Sequence, residues 1–407
     1  MWSLFTGLLT LLIVIGTSGC ASKLDYWSQQ RRGANFFNDV ETAARFRAAR
    51  AAGIEVVRLS PSKWLAGRAP SERGDFLIGA RSGYTGVNQG DVTFLKGVLR
   101  DAEQAGLKVV LTLLSLPGAR WGQHNEGLEE RVLWQSDAWQ GQAIRCWQDL
   151  ARELKDEPAI VGYNVRNEPS PELAAPRLSD WFTGDYAGWY AKVRGTPQDL
   201  NRFYRNVVAA IREVDSETPI VLDSGFFATP WAFKVLEPIA GDSKILYSFH
   251  MYEPFAFTSR GNKGKHTYPG RVPTGEGDEP LEMTWDRAQV RRFLDPVADW
   301  QRRHAIPSKQ IFAAELGVFR RNPGAAAYLE DVIGEVHSRG WHWAFYSFRE
   351  DEWDGMDYEL GSEPPSPAYW EAIREGRLPD SDVYRPNALW GVIQRWLAAT
   401  PVHGALP

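Results

Sequence analysis

The chain predicts one α/β domain, a (β/α)8 TIM barrel with long βα loops, on three observations. Eight short apolar runs of strand type alternate with segments of helical periodicity. No composition shift divides the 407 residues, a length that such barrels reach as single units. No glycine-rich dinucleotide or phosphate loop follows any run, which counts against the alternative of a doubly wound open sheet.

The eight runs are 33–37, 54–59, 107–113, 159–165, 219–223, 245–250, 311–315 and 343–347. Helical spacing of apolar residues marks 40–52, 92–105, 138–154, 199–214, 288–304 and 325–339, and Ala388–Ala398 supplies a last helix. Gly53, Gly106 and Gly340 each follow a helical segment, where a helix C-terminus favours glycine. Four strand-to-helix connections are long: 61–91, 169–198, 251–287 and 348–387. On a barrel they share the C-terminal face, where active sites are built. They carry Trp64, Trp181, Trp189, Tyr190, Phe255, Phe257, Trp285, Trp353 and Tyr358, so a groove walled by aromatic rings is expected there.

Composition narrows the chemistry. The 18 Trp and 14 Tyr exceed what a core needs, and flat rings suit the apolar faces of sugars. A net charge of −5 gives no reason to expect a nucleic-acid partner. Cys146 lies in a helical pattern and reads as an inert buried thiol. No His or Cys spacing suggests a metal site, so no cofactor is expected. Residues 2–19 are uncharged and mostly apolar and end in Gly19-Cys20. This resembles a lipoprotein signal with Cys20 as the lipidated residue; an uncleaved membrane anchor is the alternative. The chain thus divides into 1–20, signal or anchor; 21–30, linker; and 31–407, the barrel. A monomer attached to the cell envelope only through its N-terminus is expected, on the periplasmic or extracellular face.

Two glutamates stand out. Glu168 follows the fourth apolar run and Glu315 ends the seventh. A carboxylate beside a buried strand is costly unless it is paired or has a task. Strands four and seven lie across a barrel mouth, so both side chains can reach one substrate. Cleavage of a glycosidic bond with retention uses two carboxyl groups roughly 5–5.5 Å apart, one as acid/base and one as nucleophile. In Asn167-Glu168-Pro169, an amide beside the acid can bond a sugar 2-hydroxyl.

From Arg32-Gly33-Ala34-Asn35-Phe36 to strand eight, about residues 31–350, the chain resembles glycoside hydrolase family 5, the cellulase-like family of clan A. Val56-Val57-Arg58-Leu59 resembles its second strand, 163–169 its acid/base strand, Ser248-Phe249-His250-Met251-Tyr252 its sixth and 312–317 its nucleophile strand. The resemblance implies Glu168 as acid/base, Glu315 as nucleophile, Arg58 as the nucleophile's support, and Asn167, His250 and Tyr252 lining the site. It implies a β-glycosidase acting on glucan-type carbohydrate. A mannanase, exo-glucosidase or transglycosylase of the same clan remains open, as does a non-catalytic carbohydrate-binding protein. Two departures bear on the substrate. Leu114 or Ser115 stands where the family carries a strand-three histidine, and Tyr346 where strand eight carries a tryptophan platform. Trp353 is a candidate replacement.

Overall fold

The computed structural model describes residues 22–402 apart from 38–39, 62–63, 65–74, 123–124, 126, 179–181, 183, 276–280, 351–354, 376, 378 and 380–382. Cys20 with the apolar run before it, Trp181 and Trp353 lie outside the described residues. Among the described residues no helix is long and apolar enough to cross a membrane.

Among the described residues there are ten strands: β1 Arg32–Phe36, β2 Val56–Leu59, β3 Lys108–Thr112, β4 Ile160–Asn164, β5 Ile220–Asp223, β6 Ile245–Met251, β7 Gly270–Thr274, β8 Leu281–Trp285, β9 Ile311–Leu316 and β10 His342–Phe345. Eight close a barrel in the order β1-β10-β9-β6-β5-β4-β3-β2, every neighbour parallel. Each barrel strand falls on one of the eight apolar runs.

The pattern of helix positions follows from side-chain spacing. In the helix Leu200–Arg212 the buried residues Leu200, Phe203, Tyr204, Val207, Val208 and Ile211 recur at three- and four-residue steps. Each large apolar side chain so buried contributes about 1.5–3 kcal/mol. Asp199 caps this helix, its Oδ1 accepting the Arg202 N–H at 3.2 Å. Gly53, Gly106 and Gly340 close their helices at φ of 92°, 73° and 70°, a region that costs a residue with a Cβ. Cys146 is fully buried.

The helices Tyr186–Val193 and Pro367–Arg374 lie inside two of the long connections, and three further features depart from the expected pattern. The fifth repeat has no full helix; a four-residue turn Gly225–Ala228 and a 3-10 turn Pro230–Lys234 replace it. Pro230 opens the 3-10 turn at its first position, which tolerates a proline, and Pro238 stands where a longer helix would need an N–H donor. The hairpin β7–β8 sits inside the 251–287 connection, apart from the barrel. Its outer strand exposes all but Trp285 and Met283, too little apolar alternation to mark a strand. Residues 25–28 are no linker but a 3-10 turn whose Trp27 packs against the barrel-interior residues Val56, Val110, Val161 and Phe312. The Trp27 indole N–H donates to the Val161 carbonyl at 2.8 Å, so this turn plugs the barrel.

Candidate active site

Polar residues at the C-terminal ends of the barrel strands build one connected network. Arg58, near the end of β2, is 1% exposed and spends its guanidinium on five partners. Its Nη1 donates to Asn35 Oδ1 at 3.0 Å and Glu315 Oε1 at 2.5 Å. Its Nη2 donates to Asn164 Oδ1 and Asn167 Oδ1, both at 2.7 Å, and to Thr112 Oγ1 at 3.2 Å. The planar fork suits this many fixed acceptors, which a lysine cannot match. Tyr252 OH donates to the other Glu315 oxygen at 2.7 Å.

Glu168 is four residues beyond the last residue of β4 and holds a left-handed backbone, φ 48°. Its N–H donates to Asp223 Oδ2 at 3.3 Å, and its Oε1 lies 2.9 Å from His250 Nδ1. β6 and β9 pair so that His250 is directly beside Glu315, with a bulge at Phe249/His250. Carboxylate oxygens of Glu168 and Glu315 and a His250 nitrogen all lie within 4.8 Å of one another.

The two carboxyl groups are pushed in opposite directions. Burial raises Glu168 above the ordinary glutamate value, helped by the charge of Glu315, and the His250 contact only partly opposes it. Burial would also raise Glu315. The charges of His250 and Arg58 and the hydrogen bonds from Tyr252 and Arg58 outweigh that and hold it below the ordinary value. Burial disfavours the His250 cation, but Glu315, Glu168 and Asp223 around it raise it.

Among the described residues the trio Glu168, His250 and Glu315 is the group whose atoms could meet on a metal ion. Arg58 already places a buried cation 2.5 Å from Glu315. A divalent ion on the same carboxylate would face that charge at short range, so the donor set does not fit a metal.

The site opens into two cavities. One, about 290 Å³, holds Arg58, Asn167, Glu315 and Tyr346. The other, about 730 Å³, holds His250, Phe226, Phe227, Glu253 and Pro273. Trp121, Glu168, Tyr252 and Phe255 line both. Arg58, Asn167, Glu168, His250, Tyr252, Glu315 and Tyr346 therefore surround one site.

Some expectations about the walls need correction. Trp64 packs edge-on against Phe76, and Trp189 stacks on Tyr186 at 5.6 Å. Phe257, Trp285 and Tyr358 are fully buried, and Tyr190 donates to Asp199 Oδ1 at 3.1 Å. Of the loop aromatics named from sequence and described, only Phe255, 63% exposed, lines the cavities. The others anchor their loops to the core, because a long loop must bury apolar area of its own to hold a shape. Tyr346 lies beside Phe37, rings stacked at 5.9 Å. Leu114 lines the smaller cavity, while Ser115 Oγ accepts the Trp121 N–H at 3.1 Å. Sequence reasoning missed Asn35, Thr112, Asn164, Asp223 and Trp121. The first four carry a signal, a lone polar residue near the C-terminal end of an apolar strand; Trp121 carries none.

A family model described as Cellulase (glycosyl hydrolase family 5) matches residues 16–352. A probable glucan 1,3-beta-glucosidase A of Aspergillus fumigatus is 25% identical over 207 residues, 50% of this chain and 40% of that protein. The match therefore spans about two fifths of that relative's length. Endoglucanase C of Acetivibrio thermocellus is 21% identical over 314 residues, 69% of this chain and 78% of that protein. In fold, the chain is similar to the Pseudomonas stutzeri endoglucanase Cel5A, with a TM-score of 0.58, 17% identity and coverage of 93% and 97%. It is also similar to Thermotoga maritima Cel5A, solved with a mannotriose substrate, at a TM-score of 0.60, 15% identity and coverage of 91% and 99%.

Proposed function

The chain belongs to glycosyl hydrolase family 5, and on that premise we propose that it is a retaining β-glycosidase acting on a glucan-type oligo- or polysaccharide. The observation that carries this is the pair Glu168 and Glu315, with carboxylate oxygens within 4.8 Å of each other and pKa values pushed apart. That spacing is nearer the roughly 5–5.5 Å separation that serves direct attack by one carboxylate than the roughly 6.5–9.5 Å that serves inversion.

Glu315, kept ionised by Arg58 and Tyr252, attacks the anomeric carbon. Glu168, whose proton burial makes harder to lose, delivers it to the glycosidic oxygen as the carbon–oxygen bond breaks. A glycosyl ester on Glu315 results. Glu168, now a carboxylate, takes a proton from water, whose oxygen attacks the anomeric carbon and frees Glu315. Two inversions give net retention. Asn167 presents its Oδ1 to Arg58, which leaves its amide nitrogen to donate to the sugar 2-hydroxyl. The smaller cavity, containing Glu315, takes the sugar that becomes attached; the larger, beside Glu168 and His250, takes the leaving group.

A 2-deoxy-2-fluoro β-glycoside with an activated leaving group tests the reading. It should trap the ester, and peptide mass spectrometry should place the label on Glu315. Label elsewhere, or none while substrate is being cleaved, would refute it. Attachment to the envelope through Cys20 belongs to the same proposal; metabolic labelling with a fatty acid, lost in Cys20→Ser, tests it.

A further inference from the structure

The segment after β5 is strained where it borders the larger cavity. Phe226, Phe227 and Ala228 hold φ of 46°, 61° and 61° in succession. Each such non-glycine residue is disfavoured and persists only where its surroundings over-determine it. The surroundings are specific. The Phe226 N–H donates to Glu172 Oε2 at 2.9 Å, and the Phe227 N–H to the Pro169 carbonyl at 3.2 Å. Ser224 Oγ donates to the Thr229 carbonyl at 2.8 Å, closing the turn.

Glu172 is 1% exposed, four residues after Glu168, on the 3-10 turn Pro171–Leu173. Tyr186 OH donates to its Oε1 at 2.5 Å. The chain comes so close that a Cβ on residue 225 would lie 2.2 Å from Glu172 Oε1, which accounts for Gly225. Burial pushes the carboxyl up to about 7, and only Tyr186 and backbone N–H groups oppose it. A buried carboxylate held without a basic side chain is costly, and the proposed acid–base chemistry does not use it. Its two acceptor oxygens match two donors; a glutamine would turn an N–H2 toward one of them.

We propose that Glu172 is a positioning residue for the leaving-group side of the site, and that the 226–228 turn it fixes is a preformed wall for the leaving sugar. This rests on Glu168 being the acid/base. The Phe226 and Phe227 rings meet edge to face at 5.8 Å and line the larger cavity beside Glu168 and His250. Phe227 is only half-buried and presents an apolar face of the kind a sugar ring covers. Through Pro169 and Glu172 this wall is tied to the backbone that carries Glu168. The sugar and the proton donor are thereby held in register.

The test compares wild type, Glu172→Gln, Tyr186→Phe and Phe227→Ala. An aryl β-glycoside, with no sugar on the leaving side, is set against cellotriose and laminaritriose. The expected result for Glu172→Gln is a kcat/KM loss about tenfold larger on a trisaccharide than on the aryl glycoside, mostly in KM. Tyr186→Phe, the milder change should Glu172→Gln not fold, shows the same pattern to a smaller degree. Equal losses on both substrate types, or none, would overturn the proposal. Cellobiose and laminaribiose binding, followed by calorimetry, needs no turnover. Weakened binding in Glu172→Gln and Phe227→Ala supports the wall, and unchanged binding refutes it. A wild type that cleaves no substrate defeats the glycosidase reading, while the binding measurement still decides on the wall.

Discussion

Arg58 and Glu315 are 257 residues apart in the chain and 2.5 Å apart across the barrel mouth. With Arg58 1% exposed and the Glu315 side chain 10% exposed, water screens the pair little. Removing the guanidinium would strand a buried carboxylate together with the acceptors of Asn35 and Asn167. Arg58→Ala should therefore lower stability by roughly 3–5 kcal/mol in urea unfolding. Arg58→Lys keeps the charge but not the fork, and should retain more stability while losing most activity. Wild-type stability in Arg58→Ala would show that the network does not carry this load.

The two glutamates should fail in different ways. Glu315→Gln should remove turnover on every substrate, by on the order of 10⁴-fold. Glu168→Gln should lose about 10²–10⁴-fold on sugars with poor leaving groups and far less in the first step on activated aryl glycosides. A plot of rate against leaving-group pKa measures this directly. Parallel slopes for wild type and Glu168→Gln would remove Glu168 from the acid role.

The opposed pKa shifts set a pH profile. Glu315 must be ionised and is held below the ordinary carboxylate value, so activity should fall only as pH drops through that low value. Glu168 must be protonated and is raised, so activity should fall again as pH rises through its higher value. The kcat/KM profile is thus a bell whose alkaline limb belongs to Glu168. That limb should vanish in Glu168→Gln assayed on an activated substrate, and its persistence would point to another group.

Glu172 makes a prediction about stability. Its carboxyl is raised from 4.5 to about 7 in the folded chain, so the folded state keeps a proton the unfolded state gives up. Its contribution is fully present below about 4.5 and lost as pH rises through about 7. Unfolding free energies in this window should slope less steeply with pH in Glu172→Gln than in wild type. Equal slopes would mean that the proton is not held there.

The barrel was legible because its signal is local. Each barrel strand is an apolar run, and each helix packed on the barrel at the expected places repeats apolar residues at its own pitch, so those ranges agree within a few residues. The fifth repeat and the β7–β8 hairpin were not legible for the same reason. Pro238 limits one helix, and the hairpin buries too few side chains to leave a pattern. Glu168 and Glu315 were legible because a charge at the end of an apolar strand is expensive enough to stand out.

The groove walls were misread because an aromatic residue in a loop looks the same in sequence whether it faces sugar or core. Trp64, Trp189 and Trp285 went inward, while Trp121, in a stretch with no periodicity, came to line both cavities. By itself the sequence determined the eight-stranded barrel, the family and the residue types at the strand ends, since these depend on periodicity and short motifs. Only the tertiary structure decided which side chains meet. The gap between the two carboxylates, their opposed shifts through Arg58 and His250, and the clamp of Glu172 on a distant turn all arise between residues far apart in the chain. Such contacts exist only once the barrel closes.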